Sequence, residues 1–187
     1  VAKHEFDLLH PPKKSRIEVR QATVNDVKLA YEFSKDKIPN STTDISLVKK
    51  IISHNSDNIF LFLHNDSLVG LYAMLMLSPI GLERLLLGEL DSKKPDLICL
   101  SKTEEVPAAI YVWSYIAPGL AADGIRQVCQ FLLQPKYRNI NFFARPVTEA
   151  GMKITLNLGY QPVLNGNDGL YRYVRLANRE LNLQHAA

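Results

Sequence analysis

The sequence predicts an α/β (α+β) protein with a mixed central sheet, and three observations support this fold class. The chain has 187 residues, 47% of them hydrophobic and 22% charged, which suits one globular domain and excludes disorder, collagen and a disulfide scaffold. Segments with strand periodicity are interspersed with segments that have helix periodicity. Short turns join some strand segments and helices separate others, so antiparallel hairpins and parallel crossovers should share one sheet.

The N-terminal part predicts one strand followed by two helices. Residues 16–22 alternate polar and apolar side chains, as a half-buried strand does. A helix should begin near Thr23, because Asp26 stands where a capping box needs an acidic side chain. A second helix is expected over 44–53, since its branched apolar residues fall on one face.

A hairpin and a long connection come next. Residues 59–64 and 68–77 predict two strands joined by a tight turn. The second strand should be central in the sheet, because it is apolar on both faces. The following connection contains a predicted helix at 79–89, whereas 96–105 is ambiguous.

The C-terminal part begins with a strong strand over 108–116, rich in β-branched and aromatic residues. Simple alternation predicts that Tyr111, Trp113 and Tyr115 share one face of this strand. The remaining predicted elements are a helix from about 122 to 133, a strand over 139–145, a helix over 148–158 that Thr148 caps, and a closing hairpin over 160–175.

This order of elements and two local segments resemble the GNAT family, the acyl-CoA-dependent N-acyltransferases. In the first segment a strand ends at Ile116, Pro118 follows two positions later, and small residues then open a helix. The family carries Q/R-x-x-G-x-G/A at this place. Without gaps, the motif falls on Ala121, Gly124 and Arg126.

The second segment resembles the family ending N-x-x-A-x-x-L-Y-x-x-x-G-F. Here Thr148 takes the Asn position, Thr155 takes the Tyr position, and Gly159-Tyr160 stands for Gly-Phe. The resemblance covers nearly the whole chain, and both motifs are degenerate.

The resemblance implies a GNAT-like acyl-CoA N-acyltransferase fold, a sheet of about six to seven strands flanked by helices. It places a single domain at 16–176, with an insertion at about 78–107 that a minimal member of the family lacks. Residues 1–15 and 177–187 are then expected to be tails.

The resemblance also implies that the donor substrate is acetyl-CoA or another acyl-CoA, with no metal. Small residues at a helix N-terminus let a pyrophosphate approach backbone N–H groups and the positive end of the helix dipole. Asp123 would repel phosphates there, and Arg126 could plug the turn or hold a phosphate with its planar fork. The implied donor-binding residues are Ile116, Ala117, Ala121, Ala122, Asp123, Gly124, Ile125, Arg126 and Thr148.

Acylation of an amine requires an unprotonated amine, and an acid that protonates the leaving thiolate assists it. The family's helix tyrosine is replaced by Thr155, whose hydroxyl is too weak an acid for this role. The candidate catalytic residues are therefore Tyr115 and Tyr160. No carboxylate on the strands stands out as a base.

Three functions stay open at this point. An N-acyltransferase that uses acyl-CoA predicts a V-shaped split between the fourth and fifth strands, which admits pantetheine; its amine acceptor could be a small molecule or a protein lysine. A non-catalytic GNAT-like binding or regulatory module predicts a blocked donor groove. The third is an acyltransferase that takes its acyl group from an acyl carrier protein. Residues 113–119 faintly resemble the toxin-activating lysine acyltransferases, which use such donors.

The remaining sequence features give no support for a zinc site, a nucleic-acid partner or a membrane span. Cys99 and Cys129 lack CxxC partners, which gives no support for zinc. The formal net charge of +3 is too small to argue for nucleic acid, and no apolar run is long enough to span a membrane. These features lead us to expect a cytoplasmic protein. Neither the acceptor nor the oligomeric state has a sequence signal.

Overall fold

The structure, a computed structural model, describes residues 16–35, 37, 44–164 and 169–175. These residues form a seven-stranded sheet in the order β1-β2-β3-β4-β5-β7-β6. The strands are β1 (Glu18–Gln21), β2 (Ile59–His64), β3 (Ser67–Leu77), β4 (Ala109–Ile116), β5 (Phe142–Ala144), β6 (Gln161–Pro162) and β7 (Tyr171–Tyr173). β4 and β5 are parallel and the other described neighbours are antiparallel, so the predicted mixed sheet is confirmed.

Five helices flank the described sheet: α1 (Val27–Lys35), α2 (Ile45–His54), α3 (Pro79–Leu87), α4 (Ala122–Phe131) and α5 (Glu149–Asn157). The side chains of β3 show how they are arranged. Tyr72 and Met74 pack into the core beneath α4, whereas Ala73 and Leu75 pack into cores that α1, α2 and α3 help to build. β3 is buried on both faces, as its apolar sequence predicts.

The capping box predicted at the start of the first helix is present. The Asp26 carboxylate accepts hydrogen bonds from the Thr23 backbone N–H at 2.8 Å and from the Thr23 hydroxyl at 2.7 Å. Arg20 also pairs with it, at 2.7 Å between Nη2 and Oδ1. The Arg20 guanidinium holds the pKa of Asp26 well below its usual range. This cluster fixes the chain where it leaves β1.

The hairpin predicted from the apolar segments is formed by β2 and β3. Asn65 and Asp66 form its tight turn with positive φ angles of 49° and 61°. Such angles suit Asn and Asp and favour a turn whose twist matches the strands.

The connection between β3 and β4 covers the face of the sheet opposite α4. Ser78 caps α3 by accepting the N–H of Gly81 at 3.1 Å. Leu85 of α3 and Leu100 are buried in the same cluster as Leu75. The ambiguous segment contains a 3-10 turn, Leu97–Cys99, and Leu100 bridges to β3 beyond it. A 3-10 turn followed by one isolated bridge requires no regular spacing of apolar residues, so the sequence pattern does not predict it.

The strand predicted over 139–145 is shorter in the structure, because only Phe142–Ala144 pair with their neighbours. The expected tails and the tip of the last hairpin, residues 165–168, lie outside the described residues.

Candidate active site

A β-bulge in β4 turns Tyr115 toward the face of the sheet that carries α4. The register with β3 steps from Val112 to Ser114, which leaves Trp113 as the extra residue. Tyr115 therefore packs against the core beneath α4, while Trp113 packs on the opposite face with Tyr111. The prediction that all three aromatic residues share one face is wrong for Tyr115, because an extra residue reverses the alternation.

β4 and β5 are paired over only part of their length. Their parallel ladder runs from Ile110 with Phe142 to Val112 with Ala144. β4 continues to Ile116, so its last residues run past the end of β5. The edge of β4 that faces β5 has no ladder partner there, which is the split that the acyltransferase hypothesis expects.

A cavity of about 490 Å³ lies at this split. Its volume falls in the range of small-molecule sites, about 300–1,000 Å³. The sheet contributes one wall, and α4 and α5 contribute the others. The sheet residues of the wall are Tyr72, Val112, Tyr115, Phe142, Ala144 and Tyr173.

One face of α4 forms a long side of the cavity. Ala122, Arg126 and Cys129 line it, as does Leu132 directly after the last residue of α4, and their spacing of three or four residues places them on one helical face. At about 1.5 Å per residue, the distance along the helix axis from Ala122 to Leu132 is about 15 Å. The cavity therefore extends along the whole helix.

Gly124 lies on the opposite face of α4, against the sheet. A Cβ atom at this position would lie 2.5 Å from Cγ of Phe62, too close for any side chain. A Cβ atom at Gly70 of β3 would lie 2.6 Å from the backbone oxygen of Ile116 and 2.8 Å from Cδ2 of Phe62, so the neighbouring strands exclude a side chain there. Gly124 allows the close approach of α4 to the sheet, and it does not line the cavity.

The helical segment begins before the first residue of α4. A 3-10 turn starts at Gly119, and the N–H of Ala121 donates to the carbonyl of Pro118 at 3.0 Å. The N–H of Ala122 also donates within this turn. These two N–H groups, which the sequence assigns to phosphate binding, are thus already hydrogen-bonded. By helix geometry, the first N–H groups without an intrahelical partner are those of Gly119 and Leu120.

Asp123 and Arg126 form an ion pair at the cavity wall. Nη2 of Arg126 lies 3.1 Å from Oδ1 of Asp123, one turn apart on α4. Nε of Arg126 is buried and has no hydrogen-bond partner within the described part of the chain. The negative charge expected to repel phosphates is therefore matched by a neighbouring guanidinium.

Tyr115 is half-buried and lines the cavity. Its ring stacks on Tyr72, its ladder partner in β3, with 6.1 Å between the ring centroids and an angle of 19°. Its hydroxyl is buried without a hydrogen-bond partner among the residues described. Burial raises the pKa of Tyr115, so the phenol keeps its proton at neutral pH.

Tyr160, the second candidate acid, lines the same cavity. It follows α5 and packs against Tyr173 of β7, with 5.5 Å between the ring centroids. Burial raises the pKa of Tyr160 well above its usual value. The fold thus brings two protonated phenols from distant parts of the chain to one cavity.

Two threonines of the second sequence motif have structural hydrogen bonds. The Thr148 hydroxyl oxygen caps α5 by accepting the N–H of Gly151 at 3.0 Å. The Thr155 hydroxyl lines the cavity but donates to the carbonyl of Gly151 at 2.8 Å. Its proton is therefore engaged within the helix.

The structure separates the proposed donor-binding residues into two groups. Those that line the cavity, together with both candidate acids, are Ala117, Ala122, Asp123, Ile125 and Arg126. The others lie apart from it: Ile116 packs on the opposite face of the sheet, Ala121 and Gly124 pack inward, and Thr148 caps α5.

Sequence reasoning did not select Arg175, which also lines the cavity. This side chain is buried, and it donates from Nε to the Arg138 carbonyl at 3.0 Å and from Nη2 to the Leu132 carbonyl at 2.8 Å. The guanidinium also lies over the Phe142 ring, 5.2 Å from its centroid. In the sequence, Arg175 resembles any surface cation that follows a strand.

Cys129, which sequence reasoning did not select either, is half-buried and also lines the cavity. Burial raises the pKa of the Cys129 thiol to about 12, so the thiol is neutral and unreactive. Tyr72 was also missed, because it reaches the site through its pairing with Tyr115 between β3 and β4, two strands that are distant in the sequence.

The described residues contain neither a metal-binding cluster nor a membrane-spanning helix. No three or more His, Cys, Asp or Glu side chains of this part lie together in a way that could hold a metal ion. Within the same ranges, no helix has the length and apolar character needed to cross a membrane.

Comparison of sequences gives no relatives: neither a protein-family model nor a curated protein matches the chain. Comparison with solved structures gives clear matches. The loading GNATL domain of CurA from Lyngbya majuscula matches with a TM-score of 0.62 and 13% identity, over 84% of this chain and 97% of that domain.

Two further structures match over similar lengths. The GNAT-like decarboxylase GphF, in complex with isobutyryl-CoA, has a TM-score of 0.58 and 12% identity, over 84% of this chain and 98% of its own. A GNAT-family acetyltransferase from Listeria monocytogenes has a TM-score of 0.51 and 15% identity, over 84% and 92%. At such identities the likeness shows the fold, and the chain has the GNAT fold, as its sequence predicts.

Proposed function

We propose that this chain, which has the GNAT fold, transfers an acyl group from an acyl-CoA to an amine. The observation that carries the proposal is the open cavity at the split between β4 and β5. A pantetheine arm is narrow and carries amide groups. The unpaired edge of β4 can hydrogen-bond those amides as it would an added strand.

The diphosphate of the donor lies at the N-terminus of α4. The N–H groups of Gly119 and Leu120 and the positive end of the helix dipole favour an anion at this position. Arg126 lines the adjacent cavity wall and can share its guanidinium between Asp123 and a phosphate.

Tyr115 is the proposed acid. An unprotonated amine attacks the thioester carbonyl carbon, the new C–N bond forms, and the C–S bond breaks. The attacking nitrogen loses one proton to water, while the Tyr115 hydroxyl protonates the leaving sulfur and later regains a proton from solvent. The Tyr115 phenol stays protonated at neutral pH and has no other hydrogen-bond partner among the described residues, so its proton is free to be donated to the leaving sulfur.

The open cavity supports this proposal over a non-catalytic module, for which we expected a blocked groove. GphF, which shares the fold, is in complex with isobutyryl-CoA, and this supports an acyl-CoA donor. An acyl carrier protein would present the same pantetheine thioester. The acceptor is the amine of a small molecule or of a protein lysine.

Donor binding is tested by isothermal titration of CoA and acetyl-CoA into the wild-type chain, Ala122→Trp and Ala150→Trp. Ala122 lines the outer part of the cavity, so the indole of Ala122→Trp should weaken binding at least about tenfold. Ala150 is exposed on α5 and does not line the cavity, so Ala150→Trp is the matched control. Equal binding by both variants, or no binding by the folded wild type, would contradict the proposal.

The chemical step is tested with Tyr115→Phe in an assay that measures CoA release with a panel of amines. We expect kcat to fall about 100- to 10,000-fold, the usual contribution of a positioned general acid, while donor affinity is retained. Tyr160→Phe is compared in the same assay. An unchanged kcat in Tyr115→Phe would remove Tyr115 from the mechanism.

A further inference from the structure

We infer that the amine acceptor carries an aromatic ring, which stacks on the indole of Trp113 on the face of the sheet opposite α4. This inference rests on the proposed function, because it requires the donor thioester to lie at the split between β4 and β5. It chooses between the two kinds of acceptor named there, in favour of a small aromatic amine over a protein lysine.

The acceptor approaches from the side of the sheet that the donor does not occupy. The cavity lies on the side that carries α4 and α5, and in the proposed function the donor occupies it. The attacking nitrogen must reach the carbonyl carbon from a direction that the rest of the donor leaves open. At the split, that direction is the opposite face of the sheet.

Two side chains flank the split on that face. The ladder between β4 and β5 ends at Val112 and Ala144, so Trp113 and Arg145 are the first residues beyond its paired part. Trp113 is the extra residue of the bulge and packs on the face opposite α4. Ala144 lines the cavity, so alternation places Arg145 on the other face. Burial raises the pKa of Tyr111 and the Arg145 guanidinium opposes this rise, which also places Arg145 near the Tyr111 side of the sheet.

Trp113 is held in place by the core and is still accessible. It packs against two clusters, one that contains Ile52 of α2 and one that contains Leu85 of α3. A side chain that is already fixed loses little further freedom when a ligand binds to it. Trp113 is half-buried, so part of its surface remains exposed. The residue is therefore a preformed platform at the split.

Both flanking side chains suit a flat aromatic ring. An indole stacks on other aromatic rings, and such a pair tightens binding about two- to twelvefold beyond the burial of its area. A guanidinium also stacks on aromatic faces. The aliphatic chain of a lysine offers no flat face for either contact. The chemistry at the split thus favours an amine attached by a short linker to an aromatic ring.

The first test compares the acetylation of phenethylamine with that of butylamine, which has the aliphatic amine of a lysine side chain. The measured quantity is the ratio of the two kcat/KM values in the wild type, Trp113→Ala and Trp113→Phe. Comparing this ratio between variants cancels the difference in basicity between the two amines. Trp113→Ala loses the stacking and the area buried by the ring, so the ratio should fall at least about fivefold, mainly through KM for phenethylamine. Trp113→Phe keeps a ring and should stay within about twofold of the wild type.

The second test uses the fluorescence of Trp113, which is the only tryptophan in the chain. Its emission therefore reports directly on this position. In the wild type with CoA bound, phenethylamine should change the emission in a saturable way, and butylamine should not. An equal change with both amines would contradict the aromatic class.

Failure of this inference and failure of the proposed function are distinguishable. If the chain binds CoA and acetylates amines, but the ratio is the same in the wild type and in Trp113→Ala, the inference is overturned and the proposed function stands. If CoA binds and no amine reacts, or if Trp113→Ala does not fold, the wild-type fluorescence titration decides, because a flat titration with phenethylamine overturns the inference. Failure of the folded wild type to bind CoA overturns both.

Discussion

Replacement of Gly124 by alanine tests how closely α4 lies on the sheet. The new Cβ atom would lie 2.5 to 2.7 Å from three carbon atoms of the Phe62 ring. Carbon atoms prefer a separation of about 3.5–4.0 Å, so α4 or the ring must move by about 1 Å. Overpacking of this kind costs about 1–3 kcal/mol, and the better helix propensity of alanine offsets about 1 kcal/mol of it.

The assay is urea unfolding of four proteins: the wild type, Gly124→Ala, Phe62→Ala and the double variant. Without the Phe62 ring the clash is gone, so Gly124→Ala should then stabilise the protein by about 1 kcal/mol. The expected coupling between the two sites is therefore about 1–3 kcal/mol. Additivity within about 0.5 kcal/mol would refute the close approach of α4 to β2.

Three further predictions follow from charged and titratable groups. Asp26→Asn should lower the free energy of unfolding by about 1 kcal/mol at neutral pH, measured by urea unfolding. Because Arg20 lowers the pKa of Asp26, the stability that this carboxylate adds is lost as pH falls below about 4. If the wild type showed no such loss at acid pH relative to the variant, the Arg20–Asp26 pair would not lower this pKa. Asp123→Asn should tighten CoA binding about two- to fivefold by titration, since Arg126 is released toward the phosphates; weaker binding would mean that the ion pair orders the site. The Cys129 thiol should resist iodoacetamide at pH 7 in the folded chain, because its pKa is raised to about 12, and rapid alkylation would show that its pKa is not raised.

The sequence predicts the sheet well, because the strand segments have the periodicity and the composition that are typical of β-strands. The apolar run that became β3 is buried on both faces, and the hairpin turn at Asn65 and Asp66 has the residues that positive φ angles favour. The Thr23–Asp26 capping box is likewise a local signal with a local cause. Each of these features depends only on residues that are near one another in the chain.

The site was predicted only in part, because its geometry depends on register and on packing between distant segments. The bulge at Trp113 is a property of the pairing of β4 with β3, and no count along β4 alone can show it. Gly124 fits a glycine motif by position, yet the ring of Phe62 explains why a side chain is excluded there. Arg175 reaches the cavity only because β7 pairs with β5.

A crystal structure of the chain with CoA bound would show directly where the donor lies. We expect the pantetheine arm between β4 and β5, its sulfur near Tyr115 and its diphosphate at the N-terminus of α4. CoA bound elsewhere on the protein, with the split beyond the paired residues Val112 and Ala144 empty, would contradict the proposal.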